Sequence, residues 1–182
     1  MNYDLSIPGW MSESELQWLF DTASKMESVV ELGCYQGRST FALLNGCKGP
    51  VYAVDTWVDI MGTGADNASL FRQNLESRLG PDACRERLRM YPGTTAQAAS
   101  IWDEMRIPRP DCVFVDADHL EAGVLQDLVL WTPKAKRLIC GHDYGNSDWP
   151  DVKTVVDRFF GENRVKNPVG LIWAVELPLG AL

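Results

Sequence analysis

One stretch limits the fold more than any other: Val29-Val-Glu-Leu-Gly-Cys-Tyr-Gln-Gly-Arg-Ser39, continued by Thr40-Phe-Ala-Leu-Leu. It reads as a buried apolar strand that ends in an acid, turns through Gly33 and Gly37, and runs into a helix begun near Ser39. Glycines at such a turn admit backbone conformations closed to other residues and let a ligand come close. The helix start behind them offers N–H groups and a positive dipole end, which suit an anionic group of a small ligand. The glycines stand four apart, so the pattern is not the Gly-x-Gly-x-x-Gly of nicotinamide and flavin folds.

A second strand ending in an acid, Val51-Tyr-Ala-Val-Asp55, follows about two dozen residues later. In a doubly wound sheet a carboxylate at the tip of the neighbouring strand lies where two vicinal ribose hydroxyls can donate to it. Asp55 takes that role; the plainer reading is an acid that ends a strand and caps a turn.

The 182 residues are 46% hydrophobic, enough for one domain with a full core. They are expected to divide into an N-terminal helical segment, 1–27, and a ligand-binding core, 28–182. A net charge of -8 argues against sequence-independent nucleic-acid binding, and the densest basic run, Arg85 to Arg89, reads as a solvated helix face. No apolar run approaches the roughly 20 residues of a membrane span, and Met1-Asn-Tyr-Asp-Leu lacks the regions of a signal peptide. Five cysteines without a Cys-x-x-Cys pair agree with a cytoplasmic location.

Strands and helices alternate along the rest of the chain. Ser12 with Glu15 has capping-box spacing ahead of a helix bearing Leu16, Leu19, Phe20 and Ala23. After Asp55 come Thr56 and Trp57, the latter either covering a purine ring or a surface aromatic, and then a loop with Gly62 and Gly64. A helix over Asn67 to Leu79 ends at Gly80-Pro81, and a short strand spans Arg87 to Tyr91. The loop Pro92-Gly93-Thr94-Thr95 precedes the next helix, which Thr95 would cap. A fourth strand, Asp111 to Asp116, leads into Ala117-Asp118-His119, with Asp118 as cap of the following helix. A fifth strand ends in Gly141-His142-Asp143-Tyr144, another helix opens at Asp151, and an antiparallel pair closes the chain. The expected fold is α/β: a mostly parallel sheet with helices on both faces and an antiparallel final hairpin. Ligands bind outside the carboxyl ends of such strands, which puts Gly33, Asp55, Thr95, Asp116 and Asp143 on one rim.

Glu31-Leu-Gly-Cys-Tyr-Gln-Gly-Arg-Ser, Asp116-Ala-Asp-His and Gly-His-Asp143-Tyr together resemble the class I S-adenosylmethionine (SAM) methyltransferases. The likeness is to the metal-dependent O-methyltransferase branch of catechol and macrolide-sugar methyltransferases, and it runs from about Val29 to the end; it implies a Rossmann-like class I methyltransferase fold, a mostly parallel seven-stranded sheet of order 3-2-1-4-5-7-6 with an antiparallel last strand and helices on both faces. The resemblance implies that Gly33, Tyr35, Gly37 and Ser39, with Glu31 and Cys34 beside them, line the methionine end of SAM. Asp55 takes the ribose, Thr56 and Trp57 follow it, Thr94 and Thr95 lie near adenine, and Asp116 also borders the cofactor. Asp116, His142 and Asp143 would hold a divalent cation, Mg or Mn, and His119 stands where relatives place the general base. At His142 the chain departs from the pattern, because relatives usually carry an acid there. Imidazole suits Mn²⁺, Fe²⁺ or Zn²⁺ better than Mg²⁺; the ion differs, or His142 orients substrate, or no metal binds. For His119 the plainer reading is a residue that hydrogen-bonds locally at a helix start.

The resemblance implies O-methylation of a small-molecule hydroxyl on a sugar, phenol or natural-product intermediate. The alternatives are a SAM- or nucleotide-binding module without catalysis and a metal-independent methyltransferase. With few residues ahead of the first strand the acceptor pocket lacks a wall, which a homodimer partner would supply.

Overall fold

The computed structural model describes residues 2–59 and 61–178; Ile60, in the loop expected after Asp55, and the last four residues lie outside that description. Apolar runs too short for helices become β1 (Val29–Leu32), β2 (Val51–Asp55), β3 (Leu88–Pro92), β4 (Cys112–Val115), β5 (Leu138–Gly141), β6 (Lys166–Val169) and β7 (Ile172–Glu176). Their order is β3-β2-β1-β4-β5-β7-β6, as the sequence predicts. The first five run parallel and β7 is antiparallel to β5 and β6.

Side-chain alternation sorts the strands into two layers of core. Val29, Val51, Ala53, Cys112, Phe114 and Cys140 face one side, under helices α1 (Glu13–Ala23), α2 (Arg38–Gly46) and α3 (Asn67–Leu79). Val30, Leu32, Val54, Val113, Val115 and Ile139 face the other, against α5 (Thr95–Glu104), α6 (Glu121–Trp131) and α7 (Pro150–Phe160). The chain leaves β1 for β2 on one side and returns to β4 on the other, so the switch point of the sheet lies between the tips of β1 and β4. Among the described residues, no helix is long and apolar enough to cross a membrane.

Local differences from the sequence reading have simple causes. Gly80-Pro81 ends one helix and starts another, α4 (Pro81–Arg87), because proline is suited to a first helical position. The basic run is therefore split: Arg85 and Arg87 belong to α4 and Arg89 to β3. Arg87 turns inward and donates to the Leu44 and Cys47 carbonyls at the end of α2. Thr94, not Thr95, caps α5: its hydroxyl accepts the Gln97 N–H while Gln97 accepts the Thr94 N–H. Asp118 accepts the Leu120 N–H and shapes the turn before α6, whose N-cap is Leu120.

Thr95 instead donates its hydroxyl to Asp127, a carboxylate of α6 that is 1% exposed and whose Oδ2 has no partner. Burial pushes the Asp127 pKa up to about 6. A carboxyl raised in the folded state contributes stability that is fully present below its unfolded pKa and is lost as pH rises through about 6. Asp127→Asn, which keeps an acceptor for Thr95, is expected to add about 1–3 kcal/mol at pH 8 and almost nothing near pH 4, as read by urea unfolding.

Candidate active site

At the switch point the chain packs against itself so closely that only glycine fits. A Cβ on Gly33 would lie 2.0 Å from the Asp116 carbonyl oxygen, and the Gly33 φ of +83° is itself unfavourable to a side chain. This crossing sets the β1–α2 loop beside the tip of β4. Asp55, at the tip of β2, then ties the loop down: Oδ2 accepts the N–H groups of Cys34 (2.7 Å) and Tyr35 (2.8 Å), and Oδ1 accepts that of Trp57 (2.6 Å). A carboxylate has about four lone-pair positions, so three are spent and one remains.

The other predicted cofactor residues surround this tie. Glu31 is wholly buried; Oε2 accepts the Thr40 hydroxyl at 2.5 Å and Oε1 has no partner. Burial raises its pKa to about 7, against the opposing bonds from Ser39 and Thr40 and with a small push from Asp116. Cys34 and Ser39 are buried, and Gly37 caps α2 with φ +93°. Trp57 packs inward, 7% exposed, its ring 5.0 Å from that of Phe71 and its indole N–H donated to the Tyr35 carbonyl. It is therefore no surface aromatic, and its ring is engaged by the protein. Thr56 is exposed and Thr95 points down to Asp127, so neither hydroxyl joins the cluster described next.

Asp116, His119, His142 and Asp143 come together from the tips of β4 and β5. His119 Nε2 lies 2.9 Å from Asp143 Oδ2 and 3.7 Å from Asp116 Oδ1. His142 Nδ1 lies 3.3 Å from Asp143 Oδ2 and 3.9 Å from Asp116 Oδ1. Burial opposes charge on both rings, but the carboxylates outweigh it and hold His119 at about 9 and His142 at about 10. Asp116 is raised, chiefly by burial, whereas hydrogen bonds from His119, His142 and Asn146 overcome burial and hold Asp143 well below the usual carboxylate range. Asp143 has φ +60°; Tyr35 and Trp57 are also left-handed, so three of the four such non-glycine residues described lie at these strand tips. Strain of this kind costs about 1–3 kcal/mol per residue and collects at functional sites.

Two members of the site escape the sequence reading. Glu15 reaches over from α1: Oε2 accepts the backbone and hydroxyl of Ser12, while Oε1 faces His142 Nε2 at 3.2 Å. Its capping-box position explained the residue fully from sequence, and nothing there showed that the second oxygen was free for other work. Trp149, ahead of α7, stacks on His119 with ring centroids 4.9 Å apart; no motif marks it.

The donor set fits a divalent cation. One ligand atom from each of Asp116, His142 and Asp143 lies within 4.8 Å of the others, and two ligands on opposite sides of such an ion stand roughly 4.4 Å apart. Two carboxylates and an imidazole, the latter backed by a further carboxylate, make a set that suits Mn²⁺, Fe²⁺ or Zn²⁺. A depression between α5 and α6 contains none of these residues, whereas Asp116, His119 and His142 line a small cavity with Val152 and Trp173.

A sheet of this order, with acids at the tips of β1, β2, β4 and β5, is the class I methyltransferase fold. The chain belongs to the methyltransferase domain family, whose sequence model matches residues 30–144, from β1 through the tip of β5; this is a family of SAM-dependent methyltransferases. No curated protein matches the chain by sequence. Among solved structures it is similar to an O-methyltransferase from Bacillus cereus in complex with SAH (TM-score 0.71, 18% identity, 94% of this chain and 85% of that one). It is also similar to the O-methyltransferase TomG from Streptomyces achromogenes, involved in tomaymycin synthesis, in complex with SAM (0.70, 15%, 94% and 82%). A third is CalS11, a TDP-rhamnose 3'-O-methyltransferase of calicheamicin biosynthesis (0.68, 13%, 90% and 77%).

Because Asp55 serves three backbone donors, Asp55→Asn leaves at least one of them facing an amide N–H. A loss of about 1–3 kcal/mol in unfolding free energy is expected even without cofactor, measured by urea titration.

Proposed function

We propose that the chain, acting as one methyltransferase domain over residues 1–182, transfers a methyl group from SAM to a hydroxyl of a small molecule. A divalent cation at Asp116, His142 and Asp143 assists. The observation that carries this reading is the meeting of those residues and His119 beside the loop that Asp55 and Gly33 hold in place. SAM would lie along that loop, its methionine end against Glu31, Gly33, Cys34, Tyr35, Gly37 and Ser39. The unpartnered Glu31 Oε1 supports this, since it leaves an acceptor for a cationic or N–H group. One lone-pair position on Asp55 is left for a ribose hydroxyl, and Thr56, Trp57, Thr94 and Thr95 border the adenine side.

The reaction is an in-line displacement: an oxygen–carbon bond forms, the sulfur–carbon bond breaks, sulfur keeps its electron pair, and the hydroxyl proton leaves for a base. Holding nucleophile and methyl carbon in line supplies much of the acceleration. His119 is the group placed to take the proton. It must first be neutral, so its role as base depends on Asp116 and Asp143 being engaged elsewhere. A bound cation would supply Lewis acidity, lowering the pKa of a hydroxyl held on it. Trp149, stacked on His119 and partly exposed, offers a flat wall to a sugar or phenol acceptor. TomG and CalS11, which act in natural-product synthesis, agree with such an acceptor. A homodimer, in which a second copy of the chain walls the acceptor pocket, is part of this proposal. The acidic surface disfavours nucleic acid as substrate, and a cytoplasmic location fits the free cysteines.

A second reading, methyl transfer without metal, draws on the same cluster, because His119 and His142 already balance Asp116 and Asp143 without an ion. Calorimetric titration with SAM and SAH, with and without Mn²⁺ or Mg²⁺, tests both. Binding of SAH supports the cofactor site, and activity that survives a chelator selects the second reading. His119→Ala is expected to leave SAM affinity within about threefold while lowering turnover about 10²–10⁴-fold; equal loss of both would remove His119 as base.

A further inference from the structure

Glu15 is 4% exposed and His142 6% exposed, and they stand 127 residues apart in the chain. Glu15 Oε1 accepts the Leu171 N–H at 2.8 Å in the turn between β6 and β7, and it lies 3.2 Å from His142 Nε2. A Cβ at Gly170 would come within 2.4 Å of that oxygen, so the turn is shaped around the carboxylate. The Leu171 N–H can only donate, which makes Oε1 an acceptor. The His142 nitrogen facing the same oxygen must therefore carry the proton. With Nε2–H committed to Glu15, the Nδ1 side of the ring is turned toward Asp143 and Asp116.

Resting on the proposal that Asp116, His142 and Asp143 hold a divalent cation, we infer that Glu15 is a positioning residue that holds His142 with Nδ1 as the ligand atom. It thereby makes the centre one for ions that accept nitrogen. A carboxylate behind a ligating imidazole fixes its tautomer and orientation, and loss of such a partner typically costs 10–100-fold in metal affinity. Magnesium, which prefers oxygen ligands, gains little from the arrangement. The first helix, which contributes nothing else to the cluster, is in this way part of the metal centre.

The experiment is calorimetric titration of the full chain with Mn²⁺ and with Mg²⁺, alongside circular dichroism and SAH binding, for wild type, Glu15→Ala, His142→Asn and the double variant. Glu15→Ala is expected to weaken Mn²⁺ about 10–100-fold and Mg²⁺ less than threefold, and to have less than a threefold effect on Mn²⁺ when His142 is already Asn. A Mn²⁺ loss below fivefold, equal losses for both ions, or an undiminished effect in the His142→Asn background overturns the assignment. Should Glu15→Ala fail to fold, long-range ¹H–¹⁵N spectra of Zn²⁺-loaded wild type decide: metal on Nδ1 with a proton on Nε2 supports it, and the reverse overturns it. Wild type that binds SAH but neither ion overturns the metal centre and this inference together. Wild type that binds Mn²⁺ with the Glu15 variant unaffected overturns the inference alone.

Discussion

The approach of β1 to β4 at their carboxyl ends is the contact on which the rest depends. With Gly33 lying against the Asp116 backbone, the loop after β1 and the acid after β4 share one corner of the molecule. Asp55 fixes the loop from the β2 side, and β5, paired with β4, delivers His142 and Asp143 to the same corner. The same contact explains why Gly33 is required twice over, by the chain's own packing before any ligand is considered.

The fold was readable because the signals that define it are local and repeat: buried strands ending in acids, then helices, then a closing hairpin. The order of the sheet came from the resemblance to class I methyltransferases, since alternation alone is shared by several doubly wound orders. Positions of the acids were equally readable, since a strand tip is set by its strand. What the tips do to one another was less so. Asp55 looked like a ligand-binding acid and is also a tie for three backbone N–H groups, a use that depends on a loop twenty residues earlier. Trp57 could be read either as a cover for a purine ring or as a surface aromatic; a left-handed backbone and a bond to the Tyr35 carbonyl turn it inward onto Phe71. Glu15 was hidden because the capping box explains it locally and Trp149 because no motif marks it, and only the tertiary fold brings either to the histidines.

The cluster is a balance between burial and pairing. Five ionisable groups, Glu15, Asp116, His119, His142 and Asp143, sit within reach of one another, and burial alone would discharge most of them. Their mutual bonds reverse that for both histidines, Glu15 and Asp143, while Asp116, with the weakest pairing, is left raised. Three carboxylates face two histidines, so such a set is largely paired within itself, and a cation or acceptor entering it must replace an existing partner. This makes exchange of partners, rather than the filling of an empty hole, the natural chemistry of the corner.

The reach of Glu15 has a consequence for how the molecule is made. Its carboxylate bonds the Leu171 N–H across 156 residues and His142 across 127, so the first helix is held by the last hairpin. During synthesis the central strands can pair as soon as they emerge, but the contact with Leu171 must wait until the 156 residues that separate it from Glu15 have been made. Contacts this distant in sequence also form late on general grounds, because a long loop must be closed before they give any return. Assembly of the corner is thus coupled to synthesis as far as Leu171: a chain that stops short of that residue can carry the strands without carrying the finished histidine pair.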